Sequence, residues 1–155
     1  MTTRTTMIPK HLQNLDWYLG HCAWVEIEFG LRPHGVVAGV PPVRADLSWA
    51  ILVGANLSDA ILVGAILAGA RLAGSNCTRA NFDGATLSGA DLRGATLRGS
   101  KFLDASLTGA NMTGSNLTGA NCAGANLTGA DITGAVFDWA NLTGAIGLPD
   151  AIMAA

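Results

Sequence analysis

A chain of 155 residues has the size of one domain, so a second independent core is not expected. Its 20 glycines, 50% hydrophobic content and only 13% charged residues depart from ordinary globular usage and direct attention to a repeat. Nine basic residues against 11 acidic ones, a net charge of −2, exclude the imbalance that by itself marks a nucleic-acid-binding or polyacidic surface.

The chain opens with residues 1–44, read as a small α/β cap. Met1 to Lys10 lacks the apolar core of a signal peptide, which makes the cytoplasm the default location. Leu12, Leu15 and Leu19 after Pro9 predict a short helix over 11–19, and Val25-Glu-Ile-Glu-Phe29 alternates as a half-buried strand. Pro33, Gly35, Gly39, Pro41 and Pro42 then punctuate an extended connection. His11, His21 and His34, with Cys22, Glu26 and Glu28, match no zinc or catalytic spacing and read as ordinary cap residues. No metal or cofactor is expected.

From Ala45 to Gly144 the chain divides every five residues without an insertion, from Ala45-Asp-Leu-Ser-Trp49 to Ala140-Asn-Leu-Thr-Gly144, giving 20 repeats. The first position is Ala except at Ser75, Ser100 and Ser115, and the third is always Leu, Phe, Met, Ile or Cys. A strict period of five fits neither the helical 3.6 nor the strand period of 2, but it fits a solenoid whose every unit makes one side and one corner. Four such units close a square coil with the third positions inside.

The pattern A-(D/N)-L-x-x resembles the pentapeptide-repeat family. The resemblance implies an all-β fold, a right-handed quadrilateral β-helix of about five coils, roughly 24 Å long at a β spacing of ~4.8 Å per coil. Reading every fourth repeat gives the interior stacks. Leu47, Leu67, Leu87, Leu107 and Leu127 line the first side, Leu52, Leu72, Leu92, Met112 and Ile132 the second. Leu57, Cys77, Leu97, Leu117 and Phe137 line the third, and Leu62, Phe82, Phe102, Cys122 and Leu142 the fourth, where Phe82 and Phe102 should touch. Cys77 and Cys122 fall on different sides about two coils apart, too far for a disulfide, and read as core fillers.

Gly fills 15 of the 20 fifth positions, as corners with left-handed backbone require; Trp49, Asp59, Arg79, Asp104 and Trp139 are the exceptions. Polar ladders should line the outside. Trp49, Ile51, Val53, Ile61, Val63 and Ile66 break that rule in the first coils, and an apolar patch there marks a contact, either with residues 1–44 or with another molecule. Trp139 joins them as a candidate docking residue. Arg71, Arg79, Arg93, Arg98 and Lys101 are interleaved with Asp83, Asp91 and Asp104, so no stripe of one sign emerges.

After Gly144 the register breaks, and residues 145–155 form a short tail in which Ile146, Leu148, Ile152 and Met153 are apolar; it folds over the last coil or is given to a neighbour. Mean hydropathy is +0.37, yet no run approaches the ~18–20 apolar residues that cross a membrane, so no membrane association is expected. No triad, phosphate-cradling loop or set of convergent carboxylates is present, and a filled solenoid offers no pocket, so an enzyme is not expected. The expectation is a structural, protein-interaction module that meets a protein partner, or itself, through an end or the first-coil patch, in a cell or in a large assembly such as a virion. The resemblance also offers an alternative, a mimic of duplex DNA that binds DNA gyrase or another topoisomerase; direct nucleic-acid binding is not expected in either case.

Overall fold

The structure, a computed structural model, describes residues 46–149 and Ile152. The helix expected over 11–19 and the strand Val25–Phe29 lie outside the described residues.

Each second-position residue from Asp46 to Asn126 forms a parallel bridge with the residue twenty further on. Asp46, Ile66, Thr86, Ser106, Asn126 and Ile146 make the ladder of the first side, and ladders starting at Ile51, Asn56 and Ile61 make the second, third and fourth. Four repeats therefore complete one turn of a square β-helix. Each side holds a single bridged residue per coil, because the corner begins directly after the central side chain.

The corner is a turn in which the third-position carbonyl accepts the next first-position N–H, as in Ala90 N to Leu87 O at 3.0 Å. Its last inner residue sits at positive φ, which a type II turn demands and glycine supplies without steric cost. Gly89 lies at 65°, and the non-glycine corners adopt the same geometry, with Trp49 at 62° and Trp139 at 58°.

Neighbouring coils are tied by three bonds per repeat. Leu87 N donates to Ser106 O at 2.7 Å and Gly89 N to Thr108 O at 2.9 Å in the next coil, while Thr86 N donates to Ala65 O at 2.9 Å in the previous one. These bonds and the corner bond use four of the five backbone donors. The fourth-position N–H is left over, and the second-position side chain takes it: Asn76 Oδ1 accepts from Thr78 N at 3.1 Å and from Thr78 Oγ1 at 2.7 Å. All eleven Asn and Asp residues at second positions accept the N–H two residues on in this way. The preference for Asn and Asp thus follows from hydrogen-bond completion, the local side-chain turn these residues favour.

Inside, the third-position residues of the middle coils are 0% exposed, among them Leu67, Leu87, Leu97 and Leu107, and the small first-position Ala column fits beside them. Phe82 and Phe102 stack with centroids 4.9 Å apart and planes 4° from parallel. Cys77 and Cys122 are free, buried thiols. Ser100 Oγ donates to Leu97 O at 2.6 Å, Ser75 Oγ lies 3.3 Å from Cys77 Sγ, and Ser115 Oγ is buried without a partner.

Phe137 ends the third-side stack and packs against the core, but it is only partly buried, as are Ile132 and Leu142 in the same coil. The tail turns at Gly147, φ 85°, where a Cβ would collide with the Thr128 backbone. Leu148 packs back against the core.

Candidate docking surfaces

The expected first-coil patch is real in composition but not in shape. Ile51 and Val53 stand on the second side, Ile61 and Val63 on the fourth, and Ile66 and Trp49 at the first, so the apolar residues form a belt rather than one face. Asn56, Ser58 and Asp59 interrupt it on the third side, where Asn56 caps Ser58 N and Asp59 receives two bonds from Arg79 at 2.7 Å. Trp49 is 77% exposed and Val53 45%, whereas Ile51, Ile61, Val63 and Ile66 are partly buried. The Trp49 ring occupies the space a Cβ on Gly69 would need, so a corner glycine in the next coil seats it. Because Ile51 and Ile61 face opposite ways, no single flat partner covers both.

Trp139 is not brought to this belt. It stands in the last coil at the diagonally opposite corner and is 92% exposed, with Val136 and Ile146 also exposed nearby in sequence. Beside it lies a hollow of about 560 Å³ lined by Ala135, Phe137, Asp138, Trp139, Ala140, Leu142 and Ile152. Sequence reasoning marked Trp139 and an end of the rod but not this hollow, whose walls come from residues of different repeats and of the tail.

The sides between the ends are polar and nearly self-neutralised. The Arg79 guanidinium forks onto Asp59 across adjacent coils, and Arg93 onto Asp91 within one repeat at 2.8 Å. The hydrogen bonds from Arg93 hold the Asp91 carboxyl below its ordinary range, and the Thr133 hydroxyl does the same for Asp131. A shallow hollow of about 570 Å³ on the third side is lined by Asn76, Thr78, Arg79, Thr96, Arg98, Gly99 and Thr118. The interior is filled as expected, but the surface is therefore not without concavities. This one brings guanidinium and hydroxyl groups together, with no nucleophile and general base among its lining residues.

Among the described residues no His, Cys, Asp or Glu cluster is placed to hold a metal ion. Burial pushes both the Cys77 and Cys122 thiols up to about 12, which keeps them protonated and unreactive at neutral pH. Among the described residues no helix is long and apolar enough to cross a membrane.

The period of five, the square coil and the left-handed corners agree with the comparisons. A family model of pentapeptide repeats matches residues 43–76, 75–114 and 110–146, in 8 copies. HetL, a pentapeptide repeat protein involved in heterocyst differentiation regulation in the cyanobacterium Nostoc sp. strain PCC 7120, is 31% identical with a TM-score of 0.60. That likeness covers 67% of this chain and 58% of HetL, so the chain spans little more than half of that relative. A pentapeptide repeat protein from the Arabidopsis thaliana thylakoid lumen is 34% identical with a TM-score of 0.60, over 64% of this chain and 72% of that one. QnrB1, a plasmid-mediated fluoroquinolone resistance protein, is 20% identical with a TM-score of 0.35, over 66% of this chain and 59% of that one. No curated protein matches. Matched along most of its length by the repeat model and by a solved relative of the same architecture, this chain belongs to the pentapeptide repeat family, a right-handed quadrilateral β-helix.

Proposed function

We propose that this protein is a non-catalytic interaction module, a rigid β-helical block that docks by its ends onto a protein partner or a large assembly. In this reading residues 45–144 form a five-coil rod, residues 1–44 cap it by wrapping the first-coil belt, and residues 145–155 cross the last coil. The observation that carries it is the distribution of surface chemistry. Trp49, Val53, Val136, Trp139 and Ile146 put exposed apolar surface at the two ends, while most of the side surface between them carries short polar groups and bonded ion pairs. Exposed aromatic residues at an otherwise polar surface are the usual anchors of protein interfaces.

The DNA-mimic alternative calls for an acidic rod. The five described cations all fall between Arg71 and Lys101, in the middle of the rod where such a mimic would present continuous negative charge. An electrostatic mimic releases its basic target as salt screens the charges, whereas apolar docking persists.

The test is affinity capture of full-length protein from its source at low and high salt, with Trp49→Gly and Trp139→Gly as comparisons. Glycine relieves the left-handed corner, so both variants are expected to fold. A partner that survives high salt and is lost with either variant is the expected result. Partners that leave at high salt and ignore both substitutions would overturn end docking.

A further inference from the structure

Ala90–Gly94 and Ala95–Gly99 are consecutive repeats that differ at one position, Ala-Asp-Leu-Arg-Gly against Ala-Thr-Leu-Arg-Gly. In the first, Arg93 holds the Asp91 carboxylate by three bonds. The Arg93 backbone N–H donates to Oδ1 at 3.3 Å, Nε to Oδ1 at 2.8 Å and Nη2 to Oδ2 at 2.8 Å. In the second, Thr96 stands where the carboxylate would be, and its side chain caps nothing. Among the described residues neither the backbone N–H of Arg98 nor its guanidinium meets an acceptor.

The coils on either side do not supply one. Asn76 Oδ1 accepts from Thr78 N at 3.1 Å and Asn116 Oδ1 from Thr118 N at 3.0 Å, and the two threonine hydroxyls donate to the same oxygens at 2.7 Å. A leftover fourth-position N–H does draw in a carboxylate where one is within reach. Lys101 caps nothing, and Asp83 of the coil before accepts Leu103 N at 2.9 Å. In the place that Asp83 holds relative to Leu103, Arg98 has Thr78, which brings no carboxylate. The result is the third-side hollow of about 570 Å³, with Thr96, Arg98 and Arg79 among its lining residues.

We infer that this hollow is a carboxylate-binding site, in which a ligand's carboxylate takes the place that Asp91 occupies in the preceding repeat. One oxygen accepts from Arg98 N and Nε, the other from Nη2. The planar guanidinium fork matches a carboxylate, and the backbone N–H adds a third donor. The site lies on the side of the rod and so goes beyond docking by the ends. Arg79 brings little net charge to it, because Asp59 already occupies its fork. Asp138 stands on the same side two coils further on, about 10 Å away at the β spacing, and repulsion over that distance is largely screened at physiological salt. The bonds from Arg93 hold the Asp91 carboxyl below its ordinary range, so this set of donors favours the ionised form. Exposed ion pairs are weak, and a lone carboxylate is expected to bind with a Kd on the order of tens of millimolar.

The experiment titrates full-length protein with sodium acetate, against sodium chloride at matched ionic strength, and follows the backbone and Nε resonances of the arginines. Saturable shifts of Arg98 N–H and Nε–H with acetate are expected, with Arg93 unmoved because its carboxylate is in place. A second arm uses the peptide acetyl-Gly-Asp-Gly-amide. Tighter binding of the peptide than of acetate supports the site with a protein's acidic side chain as the source of the carboxylate, and equal binding supports it with a free acid as the source. Thr96→Asp, which rebuilds the preceding repeat, should raise the melting temperature and weaken acetate by about tenfold or more. Thr96→Val, of the same shape, should keep the acetate shifts. Equal shifts with chloride, Arg93 moving as far as Arg98, or undiminished acetate shifts in a folded Thr96→Asp protein would each overturn the site.

Discussion

Ala125–Gly129 and Ala140–Gly144 are the same pentapeptide, Ala-Asn-Leu-Thr-Gly, on the first and fourth sides of the last coil, the first bridged to the tail at Ile146 and the second not. Leu127 is 0% exposed and its N–H is bonded, while Leu142 is partly exposed and its N–H meets no acceptor. Identical residues thus hold different energies, because a solenoid repeat draws its stability from its neighbours as much as from itself. The same contrast separates the two ends of the rod: Leu47 and Leu52 in the first coil are 2% and 1% exposed, while Ile132, Phe137 and Leu142 in the last are only partly buried.

The largest effect should come from one substitution made in both copies of that pentapeptide. Leu127→Ala is expected to cost about 3–5 kcal/mol, as removal of a fully buried leucine does when the surroundings cannot collapse. Leu142→Ala is expected to cost about 1–2 kcal/mol, since part of its surface is already in water. Urea unfolding of the two variants measures the difference. Equal losses would mean that the fourth side of the last coil is as well covered as the first.

The second prediction concerns groups that only the interior holds. Cys77 and Cys122 have thiols raised from 9.0 to about 12 by burial. Unfolding frees a thiol to ionise near its ordinary value, so above pH ~9 the unfolded chain binds fewer protons than the folded one. Stability present below that pH is then lost as pH rises towards about 12, by about 1.4 kcal/mol per pH unit for each thiol. Melting of the wild type and of a Cys77→Ala, Cys122→Ala variant at pH 7 and pH 10 isolates this slope. The variant will be less stable at pH 7 but should fall less steeply; parallel decline would show that the thiols are not dehydrated.

Much of this was legible in the sequence. The period of five is enforced by the square coil, so the register, the stacks through Leu87 and Leu107, the Phe82 and Phe102 contact and the glycine corners could be read without coordinates. The Arg79 and Asp59 pair was readable too, being twenty residues apart, as was the opposition of Ile51 and Ile61, which lie two repeats apart and therefore on opposite sides. At the second position the sequence shows an outer polar ladder but not its chemical purpose, the capping of a leftover N–H. That the ends of a solenoid need a cap or a partner was legible, but not which side of the last coil the tail would reach, since Leu127 and Leu142 sit in the same pentapeptide and only Leu127 donates its N–H to the tail, at Ile146.

The smallest expected effect tests those caps in the same two settings. Asn116 accepts from Thr118 N at 3.0 Å and Thr118 Oγ1 at 2.7 Å, in a partly buried site. Asn141 makes the equivalent bonds to Thr143 at 3.1 and 2.7 Å, but in an exposed one. Removing a cap leaves the fourth-position N–H without a partner, and the cost depends on whether water can replace it. Asn116→Ala should therefore destabilise by about 1 kcal/mol and Asn141→Ala by only a few tenths. Thr96→Ala is the internal reference, because Thr96 shares the third-side ladder with Asn116 and caps no N–H. If Asn116→Ala proved no costlier than Thr96→Ala, the repeat's preference for Asn and Asp would have to be explained by solubility rather than by the backbone. A loss confined to Asn116 would show that one polar atom per repeat completes the interior of the rod while the end is left to water or to a partner.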